Sequence, residues 1–183
     1  VDARRRGAEG RRGARRARGG GADVGLVGAR GRGRFSDAAL ALLTTDGGDL
    51  DHVAQVDEPT GAAFIATDRE GANQIIVAAG ANAALRPDAL RQLELAAEDI
   101  LLLQREVPED ACLEAARAMK QAGGRVILNL APAEAPSPAL LDQLDLLIVN
   151  EHEAMVLAQA LGWREQDPDA IARRVDHEKT IAT

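Results

Sequence analysis

Three short apolar runs decide the fold of this chain. They are Ile100-Leu101-Leu102-Leu103-Gln104, Val126-Ile127-Leu128-Asn129-Leu130 and Leu146-Leu147-Ile148-Val149. Runs that are apolar on both faces are typical of strands in a parallel sheet that helices cover on both sides. Residues 108–122 predict such a helix between the first two runs, with Pro in its first turn and Gly123 at its end. The sequence therefore predicts an α/β fold with a mainly parallel central sheet.

The alternation continues toward the C-terminus. Residues 140–144 predict a short helix, residues 151–161 a longer one and residues 168–178 another. The last residues, 180–183, resemble the start of a further strand. We therefore expect a truncated sheet with an open edge, and a marginally stable chain.

The N-terminal half combines both kinds of pattern. Val24-Gly25-Leu26-Val27-Gly28 predicts the first strand, and Ser36 or Asp37 is expected to cap a helix through Leu43. A further helix is expected over residues 87–97.

Two β-rich runs lie between these elements. Residues 61–67 and 73–78 flank the turn sequence Asp68-Arg69-Glu70-Gly71. Runs of this kind around a short turn predict a β-hairpin at about residues 60–79.

Charge is distributed unevenly along the 183 residues. The net charge is -7, but the first 34 residues carry 11 arginines and three acids, a net +8, which leaves -15 for the other 149. Residues 1–21 are almost only Arg, Gly and Ala, so we predict a disordered segment there and an ordered domain over 22–183. Two origins of the segment stay open: a true cationic tail, or coding sequence read in the wrong frame.

Composition excludes several classes of protein. The single cysteine, Cys112, excludes an internal disulfide framework and is expected to be a buried core thiol. No apolar run approaches the about 20 residues that span a bilayer, and no apolar segment follows the basic N-terminus as in a signal peptide. We expect a cytoplasmic, soluble protein without a membrane partner.

Polar residues follow each of the three central runs. In open α/β sheets, ligands bind outside the carboxyl ends of the strands. The segments to consider are Gln104-Arg105-Glu106-Val107-Pro108, Asn129-Leu130-Ala131-Pro132-Ala133 and Asn150-Glu151-His152-Glu153. Asn150 and Glu153 either point into a ligand cleft or form a capping box at a helix start. His152 has no second histidine at ligand spacing, so a zinc site is not expected.

Six stretches together resemble the ribokinase branch of the phosphofructokinase-B type sugar kinases, over residues 22–179. In chain order they are Asp57-Glu58-Pro59-Thr60-Gly61-Ala62-Ala63, Gly71-Ala72-Asn73-Gln74-Ile75-Ile76-Val77, Ala79-Gly80-Ala81-Asn82-Ala83-Ala84-Leu85, Leu103-Gln104-Arg105-Glu106-Val107-Pro108, Leu128-Asn129-Leu130-Ala131-Pro132-Ala133 and Asn150-Glu151-His152-Glu153. The resemblance implies a ribokinase-like three-layer sandwich in which the hairpin is a small β lid.

The resemblance also implies an activity and a set of site residues. The activity is ATP-dependent phosphorylation of D-ribose to ribose 5-phosphate. Glu106 would bind sugar hydroxyls, Asn150 would serve the ATP phosphates, and Glu153 would serve Mg²⁺ with its waters. A monovalent cation and a homodimer formed through the lid are further features that the resemblance allows.

Several parts of the family pattern are absent from this sequence. The opening strand with its Asn and Asp sugar ligands, the Gly-Gly-Lys-Gly-Ala-Asn segment and the Gly-Ala-Gly-Asp motif do not occur. In the family, the Asp of the last motif takes the proton from the sugar hydroxyl, so no catalytic residue is assigned here. We expect a fragment that is inactive by itself. The alternatives are a non-catalytic fragment, or a nucleic-acid-binding module that uses the cationic tail. We do not expect nucleic acid as a partner, since the tail lacks aromatic residues for base stacking.

Overall fold

The computed structural model describes residues 24–71, 73–90, 93–164, 167–168, 170–171 and 180–182. The segment 1–21, predicted to be disordered, lies outside these residues, as does most of the helix predicted over 168–178. The chain divides into two compact units, with the boundary between Leu85 and Arg86. Each unit is described by itself.

The first unit begins with a parallel β-α-β arrangement. Strand β1 (Gly28–Arg30) leads into helix α1 (Arg34–Thr45), and strand β2 (Val53–Gln55) pairs with β1 in parallel. Leu43 of α1 is buried. The sequence had predicted the first strand over residues 24–28; the structure places it later and adds only an isolated bridge from Gly25 to Asp49.

Helix α1 starts earlier than predicted, and neither Ser36 nor Asp37 is its cap. Gly33 is the N-cap residue, and the Ser36 amide donates to the Gly33 carbonyl at 2.9 Å. The Ser36 hydroxyl is buried and instead accepts a hydrogen bond from Nη1 of Arg30 at 2.9 Å. The polar side chain expected to cap the helix therefore binds the guanidinium that ends β1.

The predicted hairpin is confirmed. Strands β3 (Ala62–Thr67) and β4 (Asn73–Ala78) pair antiparallel, with Phe64 opposite Ile76. Both of these side chains are more than half exposed, at 52% and 64%. The hairpin therefore presents apolar side chains on its surface.

Two glycines lie against the backbone that leads into the hairpin. A Cβ on Gly31 would collide with the carbonyl oxygen of Glu58 and the amide nitrogen of Thr60, and a Cβ on Gly80 would collide with the carbonyl oxygen of Pro59. The contacts are hydrogen-bonded: the Gly31 amide donates to Oγ1 of Thr60 at 3.1 Å, and the neighbouring Ala81 amide donates to the Pro59 carbonyl at 2.8 Å. Only glycine permits so close an approach of two backbones.

The second unit contains the predicted parallel sheet. Its strands are β5 (Ile100–Leu103), β6 (Arg125–Asn129), β7 (Leu146–Val149) and β8 (Thr180–Ala182), which pair in this order and all in parallel. The three central runs are therefore confirmed as strands, and residues 180–182 form the strand expected there.

Helices connect these strands. Helix α2 (Glu109–Ala122) follows β5, the short helix α3 (Pro138–Leu141) follows β6, and α4 (Glu151–Ala160) follows β7. Helix α2 ends at Gly123, which has the left-handed conformation that favours glycine. The expectation of a helix within 108–122 is thus confirmed.

The core of the second unit is aliphatic. Helix α2 buries Ala111, Cys112, Ala115, Ala116 and Met119. Cys112 is 1% exposed, which confirms the prediction of a core thiol, and burial raises the pKa of this thiol. Leu128, Leu130, Leu140, Leu147 and Leu157 are among the largest buried side chains of the same unit.

The prediction of a helix over residues 87–97 is wrong. Residues Pro87–Leu90 form a 3₁₀ turn, and the chain reaches β5 through a second turn. In that turn a carboxylate oxygen of Asp99 accepts from the Ala96 amide at 2.8 Å, and the Asp99 amide donates to the Ala96 carbonyl at 3.1 Å. Asp99 therefore takes the amide that a continuing helix would use.

No helix in the described part of the chain combines the length and the apolar character that crossing a membrane requires.

The close approach at Gly31 gives a test of the first unit. We expect Gly31→Ala to lower the free energy of unfolding by about 1–3 kcal/mol, the usual cost of overpacking. Gly25→Ala is the matched control, because nothing lies within 4 Å of its added Cβ. Urea denaturation of both variants measures the difference. Equal stabilities would contradict the packing described here.

Candidate functional site

The carboxyl ends of β5, β6 and β7 lie side by side at one edge of the sheet of the second unit. The pairing Leu103 with Leu128 and Asn129 with Ile148 fixes the relative position of these ends. Since β6 lies between the other two strands, the ends of β5 and β7 are about 10 Å apart, twice the usual spacing between strands. All three polar segments singled out from the sequence therefore meet at this edge.

Glu106 belongs to the segment that follows β5. The segment runs from the end of the strand to Pro108, the N-cap residue of α2, and Glu106 is half-buried in it. Contacts of the two preceding residues anchor this segment: the Arg105 amide donates to the Ala131 carbonyl at 3.1 Å, and Sγ of Cys112 lies 3.6 Å from the Gln104 carbonyl oxygen. The carboxylate of Glu106 is thus carried by an anchored segment.

Asn150 and Glu153 contact each other directly at the start of α4. Oδ1 of Asn150 accepts from the Glu153 amide at 2.8 Å, and Oε2 of Glu153 accepts from the Asn150 amide at 2.8 Å, which makes a capping box. In addition, Nδ2 of Asn150 donates to Oε1 of Glu153 at 2.9 Å. The capping geometry considered from the sequence is therefore present in this structure.

The capping box leaves part of the hydrogen-bonding capacity of the Glu153 carboxylate unused. Each carboxylate oxygen has two lone pairs, and Glu153 uses one on each oxygen for Asn150. Glu153 is 7% exposed, whereas Asn150 is an exposed residue. The pair can thus cap the helix and still offer oxygen atoms to a hydrated cation at the sheet edge.

The described residues contain no group of three or more His, Cys, Asp or Glu side chains that could enclose a metal ion. His152 is exposed on α4. A metal that takes one or two carboxylates and keeps its waters, as Mg²⁺ does, is compatible with a lone buried Glu153.

A charged side chain that the sequence did not single out lies at the same edge. Arg105 is 5% exposed, and its Nη2 lies 2.8 Å from Oε2 of Glu109 and 3.7 Å from Oε2 of Glu134. Oε1 of Glu109 accepts from the Ser137 amide at 3.0 Å. The only signal in the sequence was the i,i+4 spacing of Arg105 and Glu109, which is common on solvent-exposed helices.

The environment of Glu109 shifts its titration. Burial by itself raises the pKa of this carboxyl, but the hydrogen bonds from Ser137 and the charge and hydrogen bond of Arg105 outweigh that effect. The pKa of Glu109 is therefore below its ordinary value.

This shift makes the contribution of Glu109 to stability depend on pH. A lowered pKa stabilises the fold above the ordinary Glu pKa of about 4.3, and the contribution is lost as the pH falls through the lowered value. We expect Glu109→Gln to reduce the free energy of unfolding by roughly 1–3 kcal/mol at neutral pH. The difference from wild type should shrink toward zero in acid.

Urea denaturation at several pH values measures this dependence. Glu98→Gln is the control, since Glu98 is an exposed glutamate of the same unit. A loss of stability that stayed constant from neutral to acid pH would contradict the ion pair.

Comparisons with known proteins agree with this architecture. The sequence model of the pfkB family carbohydrate kinase matches residues 14–183. A ribokinase of Haemophilus influenzae is 35% identical over 166 residues, which are 89% of this chain and 54% of that protein. A ribokinase of Arabidopsis thaliana is 40% identical over 109 residues, 57% of this chain and 29% of that protein. The match thus spans about half the length of the Haemophilus influenzae protein and less than a third of the Arabidopsis thaliana protein.

Solved structures give the same result. Ribokinase from Thermotoga maritima superimposes with a TM-score of 0.68 at 32% identity, covering 82% of this chain and 49% of that one. Arabidopsis thaliana ribokinase complexed with ribose and ATP gives a TM-score of 0.69 at 29% identity, covering 85% and 52%. The predicted ribokinase-like α/β fold is confirmed. The chain belongs to the pfkB family of carbohydrate kinases, of which it carries part of the fold.

Proposed function

We propose that this chain carries part of the sugar and nucleotide sites of a ribokinase-type enzyme, which transfers a phosphoryl group from ATP to the 5-hydroxyl of D-ribose. The observation that carries the proposal is the meeting of three polar segments at one sheet edge in a member of this family. Phosphoryl transfer depends on positioning and on electrostatic stabilisation, with little covalent chemistry for the protein to perform. An edge with anchored polar side chains suits that task.

Glu106 is proposed to bind the sugar. A carboxylate accepts hydrogen bonds from hydroxyl groups, and such charge-assisted bonds are stronger than neutral ones. The segment that carries Glu106 is anchored at Gln104 and Arg105, the two residues before it, so the carboxylate is held in one region of the edge. A pre-positioned acceptor loses less conformational entropy when ribose binds.

Asn150 and Glu153 are proposed to serve the nucleotide. They lie at the N-terminus of α4, where the helix dipole favours the negative phosphate groups of ATP. A carboxylate beside phosphates is repulsive unless a cation lies between them, so the role of Glu153 requires Mg²⁺ with its waters. When bound, the metal would neutralise the charge that develops on the transferred phosphoryl group.

The proposal includes inactivity of the 183 residues by themselves. The sequence contains no Gly-Ala-Gly-Asp motif, whose Asp takes the proton from the sugar hydroxyl in this family. The lid role of the hairpin, dimerisation through it, a monovalent cation site and a cytoplasmic location also remain predictions. The Arg-rich segment lies outside the described residues, and no contact among the residues that the structure describes favours nucleic-acid binding over the kinase proposal.

Conservative substitutions separate the proposed roles. Glu106→Gln should weaken ribose binding by about tenfold, the effect of losing about 1.4 kcal/mol, and should leave MgATP binding unchanged. Glu153→Gln keeps the capping box, which Gln also forms, and should weaken the Mg²⁺ dependence of ATP binding while ribose binding stays the same. Calorimetric titration with each ligand, with and without Mg²⁺, measures both effects.

This experiment has a matched control variant and two outcomes that would contradict the proposal. Glu151→Gln alters an exposed glutamate of the same helical turn and should change the affinity for neither ribose nor MgATP. If Glu106→Gln and Glu153→Gln changed ribose and MgATP binding alike, the separate roles would be wrong. ADP release at roughly 1–100 per second, the usual range for kinases, would contradict inactivity of the chain.

A further inference from the structure

The buried guanidinium of Arg105 joins two of the polar segments at the sheet edge. Arg105 lies between the end of β5 and α2, and Glu134 lies in the segment after β6. Nη2 of Arg105 is 2.8 Å from Oε2 of Glu109 and 3.7 Å from Oε2 of Glu134. The pair with Glu109 stays on the β5 side, whereas the longer pair with Glu134, whose side chain is 70% exposed, crosses to the next strand end.

Two further hydrogen bonds follow the same path. The Arg105 amide donates to the Ala131 carbonyl at 3.1 Å, and Oε1 of Glu109 accepts from the Ser137 amide at 3.0 Å. Ser137 is the N-cap residue of α3. Arg105 thus holds the segment after β5 against residues 131–137 in two ways. Its backbone amide makes one contact, and its side chain, together with Glu109, makes the others.

The energetic cost of this arrangement argues against a purely stabilising role. The side chain of Arg105 is 5% exposed, and Nε and Nη1 are buried without a hydrogen-bond partner within the described residues. Leaving donors of a charged group unsatisfied costs stability, and an apolar side chain of similar size is often no worse in such a place. What an apolar side chain would not provide is a directed link between the two segments.

We propose that Arg105 is a positioning residue, which fixes the distance between the segment that carries Glu106 and the segment after β6. The inference rests on the proposed sugar-binding role of Glu106 for its functional consequence. The sugar would then lie in a gap whose width is set by the contacts that Arg105 and Glu109 make to residues 131–137. Arg105 itself need not touch the ligand.

Substitution of Arg105 in the full 183-residue chain tests this proposal. Arg105→Met removes the charge and keeps an unbranched side chain of similar length, and Arg105→Lys keeps the charge without the planar fork. Lys120→Met is the matched control. It removes an ion pair of 2.6 Å to Asp145 near the start of β7, at the amino ends of the strands.

Amide hydrogen exchange is the first measurement. The amides at positions 105 and 137 should exchange about tenfold faster in Arg105→Met, which corresponds to about 1.4 kcal/mol of local stability. The Leu130 amide, bonded to the Ile148 carbonyl at 3.0 Å, is the internal reference and should not change. Arg105→Lys should recover part of the protection, and Lys120→Met should leave all three amides as they are. Unchanged exchange at positions 105 and 137 would overturn the proposal.

Ligand affinity is the second measurement. Arg105→Met should raise the ribose Kd by about tenfold at an almost unchanged melting temperature, with MgATP binding unaffected. If ribose and MgATP binding fell together with the melting temperature, Arg105 would be structural only and the proposal would be wrong. If the wild-type chain bound no ribose, the role of Glu106 would fail, and hydrogen exchange would still decide the role of Arg105.

Discussion

Parallel pairing of β6 with β5 on one side and β7 on the other is the constraint on which the candidate site depends. The register Leu103 to Leu128 and Asn129 to Ile148 brings three strand ends to one edge. Parallel neighbours need helical crossovers, and α2 and the region of α3 supply them. The strands are apolar along their length, although Ile100 and Leu102 of β5 are more than half exposed in the described residues, and polar side chains gather where the strands end.

At this edge, the same contacts serve the fold and the proposed function. Asn150 and Glu153 satisfy backbone amides at the start of α4, and each carboxylate oxygen of Glu153 uses only one of its lone pairs there. A capping box therefore does not argue against a functional role, and the two interpretations of the spacing are compatible. Substitution by Gln or by Ala would separate them, since Gln retains the cap and Ala removes it.

The sequence predicted those parts of the fold in which local pattern and tertiary context agree. The run 146–149 and the hairpin are examples, because their periodicity and turn residues point to one structure. In place of the helix expected over 87–97, the described residues form a 3₁₀ turn at Pro87–Leu90 and a later turn in which Asp99 accepts from the Ala96 amide. Strand β2 was missed because three residues give no periodicity. Arg105 was not predicted to be buried, since arginine is mostly exposed and Glu134 lies 29 residues further along the chain.

The most direct test of the central claim is an NMR titration of the isotope-labelled 183-residue chain with ribose and, separately, with MgATP. We predict that ribose shifts the amide signals of residues 104–107, 129–131 and 133, whereas MgATP shifts those of residues 150–153. Signals from the amino ends of the strands, such as Val126 with its hydrogen bond to Asp145, should stay unchanged in both titrations. Shifts centred on those amino ends, or no shift at the carboxyl edge with either ligand, would contradict the assignment of the site.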